Sequence, residues 1–197
     1  MTGERLRRSL EEHEEVARQL ASVLPAIEEL GAAFRAAFAG GGRILAFGNG
    51  GSAAEAQHLV AELIGRAKAD RAPLSAIALV ADASSLTAIA NDYGFSDVFA
   101  RQVRALATRK DLVVGISTSG RSENVVRALA AAHKAHAKTA LLTGADGARA
   151  AALVDYAVVV PSAETARVQE MHLLIIHLLC EVVDEWAVDD GGAPAQA

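Results

Sequence analysis

The chain has a single cysteine, Cys180, so no disulfide can form within it, and this usage fits a reducing compartment. Its apolar neighbours mark Cys180 as a small buried residue. Aromatic residues are scarce, at 4%, although 52% of the 197 residues are hydrophobic, so the core has to be built from Ala, Leu, Val and Ile. Basic residues are outnumbered, 19 Lys and Arg against 24 Asp and Glu, which leaves a net charge of -5 and speaks against a generic nucleic-acid binder. Long apolar runs are missing too. The longest, residues 173–180, is interrupted by His177 and is too short to span a bilayer. The opening MTGERLRRSLEEHEE is too charged for a signal segment. A soluble, cytoplasmic protein that binds neither nucleic acid nor membrane is expected.

What is present is a regular alternation. Residues 4–38 carry apolar positions at three- and four-residue spacing and predict helix, divided near Pro25. Short apolar strands are predicted at 43–47, 74–80, 111–116, 138–142 and 156–160. Between them fall helices at 53–66, 84–90, 96–107 and 123–137, with a turn at 91–94 and a last helix at 165–186. Strands alternating with helices imply a three-layer α/β fold around a five-stranded parallel sheet covered on both faces. Right-handed crossovers bring the turns that follow the strands to one sheet edge, where ligands bind. The domain plan is N-terminal helices over 1–41, an α/β domain over 42–188 and a frayed tail over 189–197.

Four pieces carry chemistry. Ser117, Thr118, Ser119 and Ser122 surround Gly120 between a strand and a helix, which suits a phosphate monoester held by hydroxyls and helix N–H groups. Helix capping alone would explain one of these hydroxyls. The turn Gly48-Asn49-Gly50-Gly51-Ser52 lacks the GxGxxG pattern and fits a sugar, or simply a tight turn. His58 and Glu62 lie four apart on one helical face and can share a divalent ion such as zinc, or form an exposed ion pair. The last helix is apolar nearly all round and yet holds Gln169, Glu170, His172 and His177. Gln169 and His177 are eight residues apart, a rise of ~12 Å. Their convergence would be strained, and residues supplied from a neighbouring chain would ease it.

Together these segments resemble the phosphoheptose (sedoheptulose 7-phosphate) isomerases of the sugar isomerase (SIS) domain superfamily. The resemblance rests on GNGGSAAEAQHLVAELIGR, ANDYGFSDVF, GISTSGRSENV and TARVQEMHLLIIHLLCEVVD, and covers residues 42–184. It implies a flavodoxin-like SIS-type fold, a cytoplasmic homotetramer and one zinc per subunit on His58, Glu62, Gln169 and His177. It implies phosphate contacts from Ser117, Thr118, Ser119 and Ser122, and sugar contacts from Asn49, Gly50, Gly51, Ser52, Asn91 and Asp92. Arg66, four after Glu62, would face the same crevice as a substrate contact or in a salt bridge. His172 receives no role.

The implied reaction converts sedoheptulose 7-phosphate to D-glycero-D-manno-heptose 7-phosphate through an enediol, the first step of ADP-heptose or GDP-heptose biosynthesis. Glu62 is expected to move the proton between C1 and C2, and His177 the proton at oxygen. A zinc-bound carboxylate is a weaker base, so Glu62 would have to loosen its metal contact when substrate binds. The alternatives are an isomerase of another phosphosugar, or a non-catalytic SIS protein of the type that associates with a replication initiator.

Overall fold

The computed structural model describes residues 2–189. The N-terminal helical stretch is two helices, α1 (Thr2–Gln19) and α2 (Leu24–Ala39), joined by a 3-10 turn at Leu20–Val23. Pro25 sits in the first turn of α2, where its missing N–H costs nothing. The break therefore falls just before the proline.

The alternating part follows as β1 (Ile44–Gly48), α3 (Gly51–Ile64), β2 (Ala76–Ala78), α4 (Ala83–Tyr93), α5 (Val98–Leu106), β3 (Leu112–Ser117), α6 (Glu123–Lys134), β4 (Lys138–Gly144), α7 (Ala148–Ala151), β5 (Tyr156–Val160) and α8 (Thr165–Asp189). The five strands form one all-parallel sheet in the order β2-β1-β3-β4-β5. Alternate strand residues point to opposite faces. Ile44, Ala46, Leu112, Val114 and Ile116 pack with α2, α3 and α8. Leu45, Phe47, Val113 and Leu141 pack with α5 and α6 on the other face. The fold is thus the expected three-layer α/β arrangement, with the two N-terminal helices added: α2 lies against α8 and the sheet.

Two local expectations change. Residues 91–93 are not a turn but the last residues of α4, which stops at Gly94, whose φ of +88° suits glycine alone. α3 ends at Ile64, so Arg66 lies outside the helix and the four-residue spacing from Glu62 no longer aims it at Glu62's neighbours. The expected tail, 189–197, lies outside the described residues apart from Asp189.

Candidate active site

The strand order reverses between β1 and β3, so chain leaves the carboxyl edge from two adjacent strands. Gly48 pairs with Ile116, and the glycine turn and the serine turn begin side by side although the sequence separates them widely. A Cβ on Gly48 would lie 2.7 Å from the Ser52 carbonyl oxygen and 2.8 Å from that of Ile116, so only glycine lets β1, α3 and β3 meet here. Gly50 precedes α3 with φ +57°. Among the described residues no side chain caps α3; the Ser52 and Ala53 N–H groups donate instead to the carbonyls of Asn49 and Gly50, at 3.0 and 3.1 Å. Ser52 is buried in that first turn.

In the second turn Ser117 is buried, and its hydroxyl donates to the Ser122 hydroxyl at 3.2 Å. Ser122 is the N-cap of α6 without making a side-chain cap bond, and the Ser119 hydroxyl accepts from the Arg121 N–H at 3.3 Å. Gly120, at φ +62°, folds the loop against Gly147. The two turns are joined by side chains. Asn49 and Asn124 exchange amide hydrogen bonds in both directions, each 2.9 Å.

α3 and α8 run side by side in the same direction, and their contacts climb both helices together. The Gln169 carboxamide covers Gly51, where a Cβ would come within 2.4 Å of Nε2. The next pair is Glu55 and the fully buried His172, with Nδ1 3.5 Å from Oε2; among the described residues neither ring nitrogen has a hydrogen-bond partner. Then His58 Nε2 meets His177 Nε2 at 2.9 Å, and Glu62 Oε1 stands 3.6 Å from the same His58 nitrogen. At the far end Arg71 donates to the carbonyls of Glu62 and Leu63 at 2.9 Å each, and its Nε donates to Asp184 Oδ1 at 2.5 Å. Asp184 Oδ2 also accepts from the N–H groups of Lys68 and Ala69. Burial opposes the charge on Asp184, but these backbone donors and Arg71 outweigh it and hold the carboxyl below its usual value.

His58, Glu62 and His177 are therefore brought together within one chain, and no neighbouring chain is needed for their contacts. Gln169 is not gathered with them. It sits at Gly51, seven residues and about 10 Å of helix rise before His58. His58 is the common member of both contacts; among the described residues no three His, Cys, Asp or Glu side chains converge on one point as a formed metal site does. The donor types still suit zinc. Two nitrogens bound tetrahedrally at ~2.0–2.1 Å stand about 3.4 Å apart, so the imidazoles need part by only about half an ångström.

Asn91 and Asp92 are exposed and bond to each other, Asn91 Nδ2 donating to Asp92 Oδ1 at 2.8 Å. Arg66 is exposed beyond α3. Sequence reasoning missed Asn124, Glu55, Arg71 and Asp184. Asp184 carried one usable signal, a charge seven residues after His177 in a helix apolar nearly all round.

The SIS domain family matches residues 9–144. The phosphoheptose isomerase of a Nitratiruptor species is 58% identical over 143 residues, covering 73% of this chain and 76% of that one. The phosphoheptose isomerase of Helicobacter pylori (strain P12) is 49% identical over 181 residues, 92% of this chain and 89% of that one. Among solved structures, the phosphoheptose isomerase of Neisseria gonorrhoeae superposes with a TM-score of 0.89 at 41% identity, covering 94% of this chain and 100% of that one.

Proposed function

The chain belongs to the phosphoheptose isomerases of the SIS domain family, and we propose that it interconverts sedoheptulose 7-phosphate and D-glycero-D-manno-heptose 7-phosphate. The observation that carries the proposal is the meeting of His58, Glu62 and His177 between α3 and α8, in a chain with a hydroxyl-rich turn at the carboxyl edge of its sheet.

Isomerisation moves one proton between C1 and C2 and another between the two oxygens. Glu62, whose side chain is 23% exposed, serves as the carbon base: it takes the proton from one carbon and returns it to the other. His177 carries the proton at oxygen, since an imidazole can donate and accept near neutral pH. The hydroxyls of Ser117, Thr118, Ser119 and Ser122, with the N-terminus of α6, hold the phosphate. That contact orients the sugar without joining the chemistry. Asn49, Gly50, Gly51 and Ser52 contact the sugar, with Asn91 and Asp92.

Zinc fits the donors present, with His58, Glu62 and His177 as its holders and Gln169 joining them once its carboxamide leaves Gly51. When bound it would supply Lewis-acid polarisation of the carbonyl. A ligating imidazole gives up any proton on the binding nitrogen, so the 2.9 Å hydrogen bond between His58 Nε2 and His177 Nε2 would be given up if those nitrogens held the ion.

A homotetramer in the cytoplasm completes the proposal, with neighbouring subunits adding to each site. Glu62 lies eleven residues and ~16 Å of helix rise from Gly51 at the sheet edge, so a second chain can bridge the distance. α4 buries none of its residues, and its last residue Tyr93 and Phe95 just beyond it are 54% and 63% exposed, as a surface awaiting another subunit would be.

The test is incubation of purified protein with sedoheptulose 7-phosphate, with and without a chelator. Product from the metal-loaded protein and its loss on chelation are expected. Absence of product under both conditions would return the chain to the non-catalytic class.

A further inference from the structure

Asn49 and Asn124 bridge the glycine turn and the helix that follows the serine turn, across 75 residues. Asn124 is 3% exposed and lies in the first turn of α6, two residues after the cap Ser122. An amide can be turned end for end, and a reciprocal pair alone would not choose between the two arrangements. Here the choice is made. Asn124 Oδ1 also accepts from the Val125 backbone N–H at 3.0 Å, and a reversed amide would set N–H against N–H. Asn124 Nδ2 therefore faces Asn49 Oδ1, and Asn49 Nδ2 faces Asn124 Oδ1. After this pairing Asn49 keeps one N–H and one oxygen lone pair for a ligand. Their places are set by α6, the helix that carries the serine turn.

We propose that Asn124 is a positioning and specificity-determining residue: it fixes the orientation of the Asn49 amide, and its distance from the serine turn, so that Asn49 reads a sugar hydroxyl at a set separation from the phosphate. This rests on the isomerase reading above, with phosphate at the serine turn and sugar at the glycine turn. A ketose phosphate with fewer carbons, anchored by the same phosphate, presents a different group at that separation. The pair then acts on which sugar is accepted, while phosphate affinity stays with the serine hydroxyls and the N–H groups of α6.

The test compares wild type with Asn124→Ala and Asn124→Asp. The Asp variant has the same shape and still accepts from Asn49 and Val125, but it cannot donate to Asn49 Oδ1. Thermal melting establishes folding, and three constants are read: kcat/KM for sedoheptulose 7-phosphate, the competitive Ki of ribulose 5-phosphate and the Ki of inorganic phosphate. In Asn124→Ala, kcat/KM is expected to fall tenfold or more while the Ki of inorganic phosphate stays within twofold. The preference for the seven-carbon over the five-carbon sugar should narrow. Asn124→Asp also sets a negative charge two residues from Ser122, so its phosphate Ki is expected to rise and only its sugar preference is read, which should narrow as in Asn124→Ala. A folded variant with kcat/KM within twofold of wild type overturns the proposal, as does phosphate affinity falling in parallel with kcat/KM in Asn124→Ala. Wild-type protein that turns over no heptose phosphate would instead sink the isomerase reading itself.

Discussion

Replacing Arg71 should destabilise the protein more than replacing Arg71 and Asp184 together. The Arg71 side chain is 1% exposed and that of Asp184 5%. Arg71→Met removes the buried cation paired with Asp184 and leaves the carboxylate with two backbone N–H donors. Breaking a buried pair from one side costs about 3–5 kcal/mol. In a chain of this size each kcal/mol moves the melting temperature by roughly 2–4 °C, so a drop of about 6–20 °C is expected. Arg71→Met with Asp184→Asn removes both charges while an amide oxygen still accepts from the Lys68 and Ala69 N–H groups, so no buried charge is left unpaired. What remains unpaired in both variants is the carbonyls of Glu62 and Ala72 that Arg71 served, each costing about 1–3 kcal/mol where it stays out of water. The Leu63 carbonyl keeps the Leu74 N–H at 3.0 Å. Melting followed by circular dichroism should therefore rank wild type above the double variant and the double variant above Arg71→Met. A single variant melting within about 2 °C of wild type would refute the reasoning, and so would a double variant less stable than the single.

Acid should expose the same pair. The folded carboxyl of Asp184 titrates below its usual value, so its contribution to stability is complete above the unfolded pKa of about 3.9 and is lost as pH falls through the lower folded value. The stability gap between wild type and Asp184→Asn, measured by urea unfolding, should be constant above about pH 5 and close below pH 4; a gap unchanged at pH 3 would contradict this. The two glycines of the first turn should behave differently. Gly48→Ala drives a Cβ into backbone carbonyls and should cost about 1–3 kcal/mol. Gly51→Ala meets only the movable end of Gln169, so it should fold normally and change activity or metal affinity through Gln169. Equal melting temperatures for the two variants would contradict the contrast.

Period and punctuation made much of the architecture legible. The apolar runs located all five strands, and their alternation with helices required a parallel sheet. Where boundaries moved, local signals misled. Asn91-Asp92-Tyr93-Gly94 has turn-like composition, yet the helix runs on until Gly94, where the backbone turns left-handed. The 53–66 helix starts two residues early and stops two early, which removed Arg66 from the face assigned to it. His58 with Glu62 was readable from a four-residue spacing, and His177, grouped with them only through the family resemblance, meets His58 in the structure. The partners of Asn49 and Asp184 were not readable. Asn124 lies 75 residues from Asn49, and Asp184 lies 113 from Arg71. Pairing at such separations is set by which helices the sheet brings together, and no spacing along the chain encodes it.

The claim at the centre is that Glu62 moves a proton between two carbons of a heptose phosphate. Sedoheptulose 7-phosphate incubated with the protein in heavy water and followed by proton magnetic resonance tests it directly. Wild type should form the aldose, with solvent deuterium at C2 in the fraction of turnovers in which the Glu62 proton exchanges before its return, and Glu62→Gln, folded and in the same oligomeric state, should form none. Substantial aldose formation by Glu62→Gln would contradict the account.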